Sequence, residues 1–288
     1  MSAVVMDGAA LASRVKEQVR LQVERLAQKP GLAVILVGDD PASQVYVGGK
    51  RRDCRQCGIY SEEYVLPGGT SQEELLGLIG ELNGREDIDG ILVEFPLPPH
   101  MDKKAVQLAI RPDKDVDCVH PANMGYLMLG EESFRPCTPA GVMRLLAEYG
   151  VDPTGKRCVV VGRSNIVGKP QAMLMLWQDA TIVVCHTKTP DLAAECRRAD
   201  ILVTAAGCLG LITGDMVKEG AVVVDVAVNR DDAGRLRGDA VYGEVAQKAS
   251  FITPVPGGVG PMTRAMLMEN TLYAAGRHGK RSTTEEQQ

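Results

Sequence analysis

The sequence contains no uncharged apolar run that approaches the roughly 20 residues needed to cross a bilayer as a helix. The segment from Met1 to Asp7 also lacks a basic stretch followed by an apolar one, the pattern of a secretory signal. Both absences argue against a membrane or exported protein. We therefore expect a cytoplasmic protein with no membrane partner.

An excess of positive charge is also missing. The formal net charge is -5 at pH 7, and the sequence pI is about 5.5. Nucleic acids and acidic membranes recruit general binders through a large basic field, which this chain does not have. We expect no nucleic-acid partner.

The chain has few residues that could complete a metal site. Its eight cysteines are scattered through helix-like and strand-like segments, so we expect reduced thiols. Cys54 and Cys57 form a C-x-x-C pair, but no second pair and no paired histidines accompany it. A metal or redox role for this pair is the minor alternative, and we expect no metal.

Hydrophobic residues make up 45% of the chain and charged residues 24%, a composition typical of a globular protein. A length of 288 residues is enough for two domains, each with its own core. Strand-like and helix-like segments alternate, which predicts parallel α/β sheets. Ser71 and Glu74 have the spacing of a capping box. Helices are expected at 11–23, 43–58, 71–83, 138–149 and 261–276, and strands at 32–37, 60–66, 90–94, 157–161, 180–185, 201–205 and 221–226.

A variant dinucleotide fingerprint follows the strand at 157–161. Gly162 and Gly168 stand at a strand-to-helix turn, where backbone N–H groups can hold a pyrophosphate, but Ser164 occupies the central glycine position. An ordinary strand-to-helix turn is the alternative that this motif alone leaves open.

An acidic residue that would bind the ribose hydroxyls of NAD is absent from the end of the second strand of this half. His186, Thr187 and Lys188 stand there instead, and Arg163 lies in the glycine turn. Hydroxyl and positive groups suit the extra phosphate of NADP, so the sequence favours NADP over NAD. For His186, a solvent-facing strand end is preferred to a role in proton transfer.

Tyr46 and Lys50 are four residues apart in a predicted helix and therefore share one face. They could act together on one ligand, or they could be an ordinary exposed pair. Further along, residues 252–263 are so rich in proline and glycine that they predict a specified loop. Such a rigid, uncharged loop suits contact with a flat ligand.

These blocks occur in the order typical of the bifunctional methylenetetrahydrofolate dehydrogenase/methenyltetrahydrofolate cyclohydrolase family, which the chain resembles from about residue 1 to 276. The resemblance implies two α/β domains with a folate cleft between them. It places a catalytic, folate-binding domain at 1–118 plus 262–288 and a Rossmann-like NADP-binding domain at 119–261. It also implies a homodimer in one-carbon metabolism that serves purine biosynthesis.

The resemblance assigns roles to individual residues. The implied catalytic residues are Tyr46, Lys50, Glu94 and Asp117. The implied contacts with tetrahydrofolate derivatives are Tyr46, Lys50, Val93, Glu94, Phe95, Asp117, Pro256, Gly257 and Gly258. The implied contacts with NADP are Gly162, Arg163, Ser164, Thr187 and Val228.

The chain departs from the family pattern at four positions. Glu94 stands where a glutamine usually contacts the catalytic lysine, and a carboxylate there favours the charged ammonium form of Lys50. Hydrolysis of methenyltetrahydrofolate is then expected to be reduced while hydride transfer survives, unless Glu94 itself acts as a base. Cys118 and Val119 replace a pair such as Gly-Phe, and Ala227 replaces a glycine.

Three other functions compete with the bifunctional enzyme. One is a monofunctional methylenetetrahydrofolate dehydrogenase, and another is a catalytically silent regulatory protein that binds folate or nucleotide. A third, an α/β oxidoreductase acting on a small hydroxy or keto acid, does not account for the loop at 252–263.

Overall fold

A computed structural model describes residues 2–39 and 41–279, and for residues 41–46 it describes the backbone alone. The helices are α1 Gly8–Val23, α2 Pro41–Cys57, α3 Gln72–Gly84, α4 Lys103–Ala109, α5 Pro121–Leu129, α6 Cys137–Glu148, α7 Gly168–Leu176, α8 Leu192–Arg197, α9 Tyr242–Val245 and α10 Val259–Arg277. The strands are β1 Val4–Val5, β2 Gly31–Val37, β3 Tyr60–Leu66, β4 Gly90–Val93, β5 Arg157–Val161, β6 Thr181–Cys185, β7 Ile201–Thr204, β8 Val222–Asp225, β9 Asn229–Arg230, β10 Leu236–Arg237 and β11 Phe251–Ile252. Short 3-10 turns lie at Pro112–Lys114 and Gly214–Met216.

The chain forms two compact units. The six-strand unit contains the described residues up to Ala12 together with Pro136–Thr263. The three-strand unit contains Ser13–Arg135 together with the described residues from Arg264 onward. None of the described helices combines the length and apolar character that a membrane crossing needs.

In the described part of the six-strand unit, a parallel sheet has the order β1-β11-β8-β7-β5-β6. The central strands β5, β7 and β8 are buried along almost their whole length, and their sequences are accordingly continuous apolar runs rather than alternating ones. Val160 pairs with Val203, which in turn pairs with Val224. The segments that follow these strands therefore all begin at one edge of the sheet.

The three-strand unit has a parallel sheet of order β3-β2-β4. Strand β2 is buried throughout and shares a core with α3, in which Leu75, Ile79 and Leu82 line the inner face. The predicted capping box begins α3: the N–H of Glu74 donates to Ser71 Oγ (3.2 Å), and the N–H of Ser71 donates to Glu74 Oε2 (2.7 Å). The helix start is therefore fixed locally.

The structure differs from the sequence expectations at the two-residue strands and at α10. Strands β1 and β11 pair with each other in the six-strand sheet, but two residues are too few to produce a periodic pattern. Helix α10 begins at Val259, so 259–263 is helical rather than part of the loop. Pro261 is tolerated there because N–H groups in the first turn of a helix have no partner within the helix.

The observed units also differ from the expected domain boundaries. Because β1 pairs with β11, residues 2–12 lie in the six-strand unit and not with the segment that follows them. Residues 119–135 lie in the three-strand unit, where Phe134 packs edge-on against Tyr273 at 5.3 Å between ring centroids.

Candidate functional site

The turn after β5 is tight enough to require glycine at two positions. Gly162 has φ +130°, and a Cβ added to it would lie 2.4 Å from the carbonyl oxygen of Ala205. A Cβ on Gly168 would lie 2.1 Å from the carbonyl oxygen of Gly162. The chain then enters the N-terminus of α7, a helix of nine residues. This geometry matches a phosphate-binding strand-to-helix turn.

Ser164, which replaces the central glycine of the fingerprint, supports this turn from within. Its Oγ accepts the N–H groups of Val167 at 3.2 Å and of Gly168 at 3.3 Å. Arg163 and Ser164 are both exposed. The departure from the strict fingerprint therefore leaves the turn closed and leaves the arginine accessible to a ligand.

The end of β6 lies beside the glycine turn. The N–H of Gly162 donates to the carbonyl of Cys185 at 2.9 Å. Thr187 and Lys188 follow in an exposed turn, in which His186 Nδ1 accepts the N–H of Lys188 at 3.1 Å. A hydroxyl and an ammonium thus stand next to the turn, and His186 caps a backbone turn.

Asp239 is a buried carboxylate that sequence reasoning missed. It is fully buried, and its oxygens accept five hydrogen bonds, from Thr204 Oγ1 (2.8 Å), Ala206 N (2.7 Å), Gly207 N (3.3 Å), Cys208 N (2.7 Å) and Asn229 Nδ2 (3.1 Å). These donors belong to the segments that follow β7 and β8. One carboxylate therefore fixes two loops at the carboxyl edge of the sheet. No local motif marks this role, because the partners lie between 10 and 35 positions away along the chain.

Asp225 is a second buried acid at this edge. Burial raises its pKa to about 6, although backbone N–H groups of Ala240 (2.8 Å), Asp239 (3.1 Å) and Ala227 (3.2 Å) oppose the rise. Ala227, at one of the departures from the family pattern, is 8% exposed, whereas Val228 is 48% exposed. The apolar side chain expected to contact the cofactor is thus accessible.

The proline–glycine loop packs against the first helix within the same unit. Gly257 has φ +106°, and its carbonyl accepts the N–H of Ala9 at 3.0 Å. Gly258 donates to the carbonyl of Pro254 at 2.8 Å, and a Cβ on Gly8 would lie 1.8 Å from the carbonyl oxygen of Gly258. The loop holding Pro256, Gly257 and Gly258 is therefore a fixed backbone feature.

In the three-strand unit, Lys50 and Glu94 form an ion pair. Lys50 lies in α2, Glu94 follows β4 directly, and their side chains are 14% and 11% exposed. Val93 is packed in the core, and the Lys103 ammonium lies 4.4 Å from the centre of the Phe95 ring. The structure thus brings together the predicted lysine and the residue at the main departure from the family pattern. The side chain of Tyr46, also expected here, lies outside the described residues.

The turn that contains Asp117 is shaped by its neighbours. Asp115 is buried, accepts the N–H groups of Val119 (3.1 Å) and His120 (2.8 Å), and has a pKa raised by burial. Cys118 has φ +56°, a conformation that favours glycine, and its thiol donates to the carbonyl of Phe134 at 3.2 Å. Asp117 itself is half-buried. The replacement of glycine by Cys118 therefore falls where the backbone is left-handed.

The cysteines have the features of structural thiols. Cys54 and Cys57 are buried and unbridged, and burial raises the pKa of each to about 12. No cluster of three or more metal ligands occurs among the residues that the structure describes. High thiol pKa values disfavour the reactive thiolate, which weighs against a redox role for this pair.

These features define a parallel α/β protein with a nucleotide-type glycine turn in one unit and a lysine–carboxylate pair in the other. The family description "Tetrahydrofolate dehydrogenase/cyclohydrolase, catalytic domain" matches residues 6–117, and the description "Tetrahydrofolate dehydrogenase/cyclohydrolase, NAD(P)-binding domain" matches residues 136–279. The chain therefore belongs to the tetrahydrofolate dehydrogenase/cyclohydrolase family.

Individual relatives match over nearly the full length. The bifunctional protein FolD of Moorella thermoacetica is 57% identical, covering 96% of this chain and 100% of its own. A crystal structure of the bifunctional FolD of Campylobacter jejuni superposes with a TM-score of 0.94 at 50% identity, covering 96% of this chain and 99% of that one. The Trypanosoma brucei enzyme, solved with NADP cofactor and inhibitor, gives a TM-score of 0.93 at 40% identity, covering 98% and 100%.

Replacing Asp239 by asparagine should weaken NADP binding about tenfold or more, because an amide NH2 would face backbone N–H groups that now share a carboxylate. Isothermal titration with NADP measures the dissociation constant. Asp232→Asn, at an exposed position of the same unit, is the control and should bind normally. Equal affinity of the two variants would contradict the role given to Asp239.

Asp225 should make an unusual contribution to the pH dependence of stability. Because its pKa is raised from 3.8 to about 6, the folded state binds more protons between these values, and its contribution to stability falls as the pH rises through this range. The stability of the native protein relative to Asp225→Asn should fall by about 2 kcal/mol from pH 4 to pH 7, because each pKa unit corresponds to about 1.4 kcal/mol and part of the change lies below pH 4. Urea unfolding at both pH values measures it, and a difference that grows with pH would disprove the assignment.

Proposed function

We propose that this chain oxidises methylenetetrahydrofolate to methenyltetrahydrofolate with NADP and hydrolyses the product to formyltetrahydrofolate. The observation that carries the proposal is the match of both family domains along nearly the whole chain. The glycine turn of the six-strand unit and Lys50 of the three-strand unit are groups that such an enzyme needs for the cofactor and for proton transfer.

The six-strand unit fits a nicotinamide dinucleotide. The close backbone approaches at Gly162 and Gly168 suit a pyrophosphate, and exposed Arg163, Thr187 and Lys188 suit the extra phosphate of NADP. NADP, when bound, accepts the hydride in the first reaction. Val228 offers an exposed apolar surface, and Asp239 keeps its loop in place.

Lys50 is the group that we assign to proton transfer in the hydrolytic reaction. Addition of water to the methenyl carbon and opening of the ring both require a proton to move, whereas hydride transfer needs mainly correct positioning. Tyr46, four residues earlier in α2, Asp117, and the loop holding Pro256, Gly257 and Gly258 are the further groups assigned to folate.

A second candidate function, an enzyme that is essentially a dehydrogenase, is favoured by the Lys50–Glu94 ion pair. Glu94 engages the Lys50 ammonium in this pair, so the ammonium has to leave the carboxylate before it can exchange a proton with a substrate. We infer that hydrolysis is slowed relative to oxidation, because the first reaction requires no general base.

Glu94→Gln should therefore accelerate the decay of methenyltetrahydrofolate by about tenfold or more, within the range of general acid–base effects, without changing the rate of NADPH formation. The two products are followed at separate wavelengths after mixing protein, methylenetetrahydrofolate and NADP. Glu86→Gln, at an exposed position of the same unit, is the control.

Slower methenyl decay in Glu94→Gln would make Glu94 itself the base and overturn the inference. Absence of NADPH formation in the native protein would instead support a silent folate- or nucleotide-binding protein.

We further propose a cytoplasmic homodimer acting in the one-carbon metabolism that serves purine biosynthesis, on the basis of family membership. Light scattering coupled to size-exclusion chromatography should give twice the chain mass of 30.9 kDa. A single-chain mass at micromolar concentration would refute the dimer.

A further inference from the structure

Two glycines stand immediately before the candidate catalytic lysine. Gly48 and Gly49 occupy the interior of α2, where glycine weakens a helix because it has the most backbone freedom to lose. The helical turn that contains Lys50 therefore has a low intrinsic helix propensity. Something outside the helix has to define its position.

Arg264 lies against this turn. A Cβ placed on Gly49 would lie 2.6 Å from Arg264 Nη1, whereas a Cβ placed on Gly48 would meet no described atom within 4 Å. The guanidinium of Arg264, a residue of α10, thus occupies the space that a side chain at position 49 would need. The two adjacent glycines thus differ in what a side chain would meet, which makes them a matched pair for substitution.

A buried carboxylate holds Arg264 in this place. Asp53 Oδ2 lies 2.8 Å from Arg264 Nε, and Asp53 Oδ1 accepts a hydrogen bond from Lys16 Nζ at 2.8 Å. The Asp53 side chain is 4% exposed, and its buried carboxylate lies between both cations. The three residues join α1, α2 and α10 within the three-strand unit.

Asp53, which binds Arg264, and Lys50 lie on the same side of α2. Gly49 and Asp53 are four residues apart, and Lys50 and Asp53 are three apart, so all three lie on adjacent rows of α2. Lys50 follows Gly49 directly, so the backbone that Arg264 lies against is continuous with the backbone that carries Lys50. Lys50 in turn is held at its far end by Glu94.

We propose that Arg264, held by Asp53, is a positioning residue for the folate site: its guanidinium packs on the bare backbone of Gly49 and sets the direction in which α2 presents Lys50. This role rests on the proposed function of Lys50. It makes glycine at position 49 a requirement of the site, while glycine at 48 is replaceable.

The test compares Gly49→Ala with Gly48→Ala in the hydrolysis of methenyltetrahydrofolate, the reaction to which Lys50 is assigned. Gly49→Ala should lower kcat/KM for this substrate roughly tenfold, because a small displacement of a positioned group has a large effect on rate, and should leave KM for NADP in the oxidation reaction unchanged. Gly48→Ala should retain the native values. Equal behaviour of the two alanine variants would overturn the proposal.

A double variant separates positioning from general damage. Arg264→Met should lose about as much kcat/KM as Gly49→Ala, and the combination should lose no more than Arg264→Met alone, because the added methyl then has nothing to displace. Losses that multiply would show two independent effects and contradict the inference. A drop in thermal stability without a change in kcat/KM would reduce Arg264 to a structural role.

Hydrogen exchange tests the proposal even if the protein does not hydrolyse methenyltetrahydrofolate. Arg264→Met should increase amide exchange in residues 47–53, and Arg277→Met, near the other end of α10, should not. Unchanged exchange in 47–53 would refute the positioning role, whereas an inactive native protein with the expected exchange pattern would refute only the proposed function.

Discussion

Parallel strand pairing is the constraint on which the rest of the structure depends. A parallel neighbour can be reached only by a crossover, so the segments that follow such strands begin at the same edge of a sheet. In the six-strand unit this brings the glycine turn, the end of β6 and the loops after β7 and β8 to one edge. In the three-strand unit it places the start of α2 and Glu94 after neighbouring strands. Chemistry can then be assembled from residues far apart in sequence.

The elements that could be predicted from the sequence are those whose signal is local. Strands β3 and β5 have the bounds expected from the sequence, and α3 begins at the capping box of Ser71 and Glu74. The two-residue strands β1 and β11 are stabilised by pairing with each other and with β8, and no window of sequence contains that information.

The candidate sites divide in a similar way. Gly162 and Lys50 could be predicted because each lies within a recognisable motif. Glu94 could be singled out because the family usually has a glutamine at this position. The role of Asp239 could not be found, because its five donors come from two other segments, at 204–208 and at Asn229. The ion pair of Arg264 and Asp53 could not be predicted either, because 211 positions separate the two residues and only folding brings their charges together. Buried carboxylates such as Asp53 and Asp239 act through the helices and loops whose groups they bind.

The distribution of thiols has a practical consequence. Of the eight cysteines, all of which the structure describes, seven are buried, and Cys208 alone is exposed. It follows β7, and its backbone N–H is bound by Asp239. A maleimide fluorophore would therefore attach at one position of the unaltered chain, beside the loops that border the nucleotide turn. The protein supplies its own reporter for a spectroscopic titration of the cofactor.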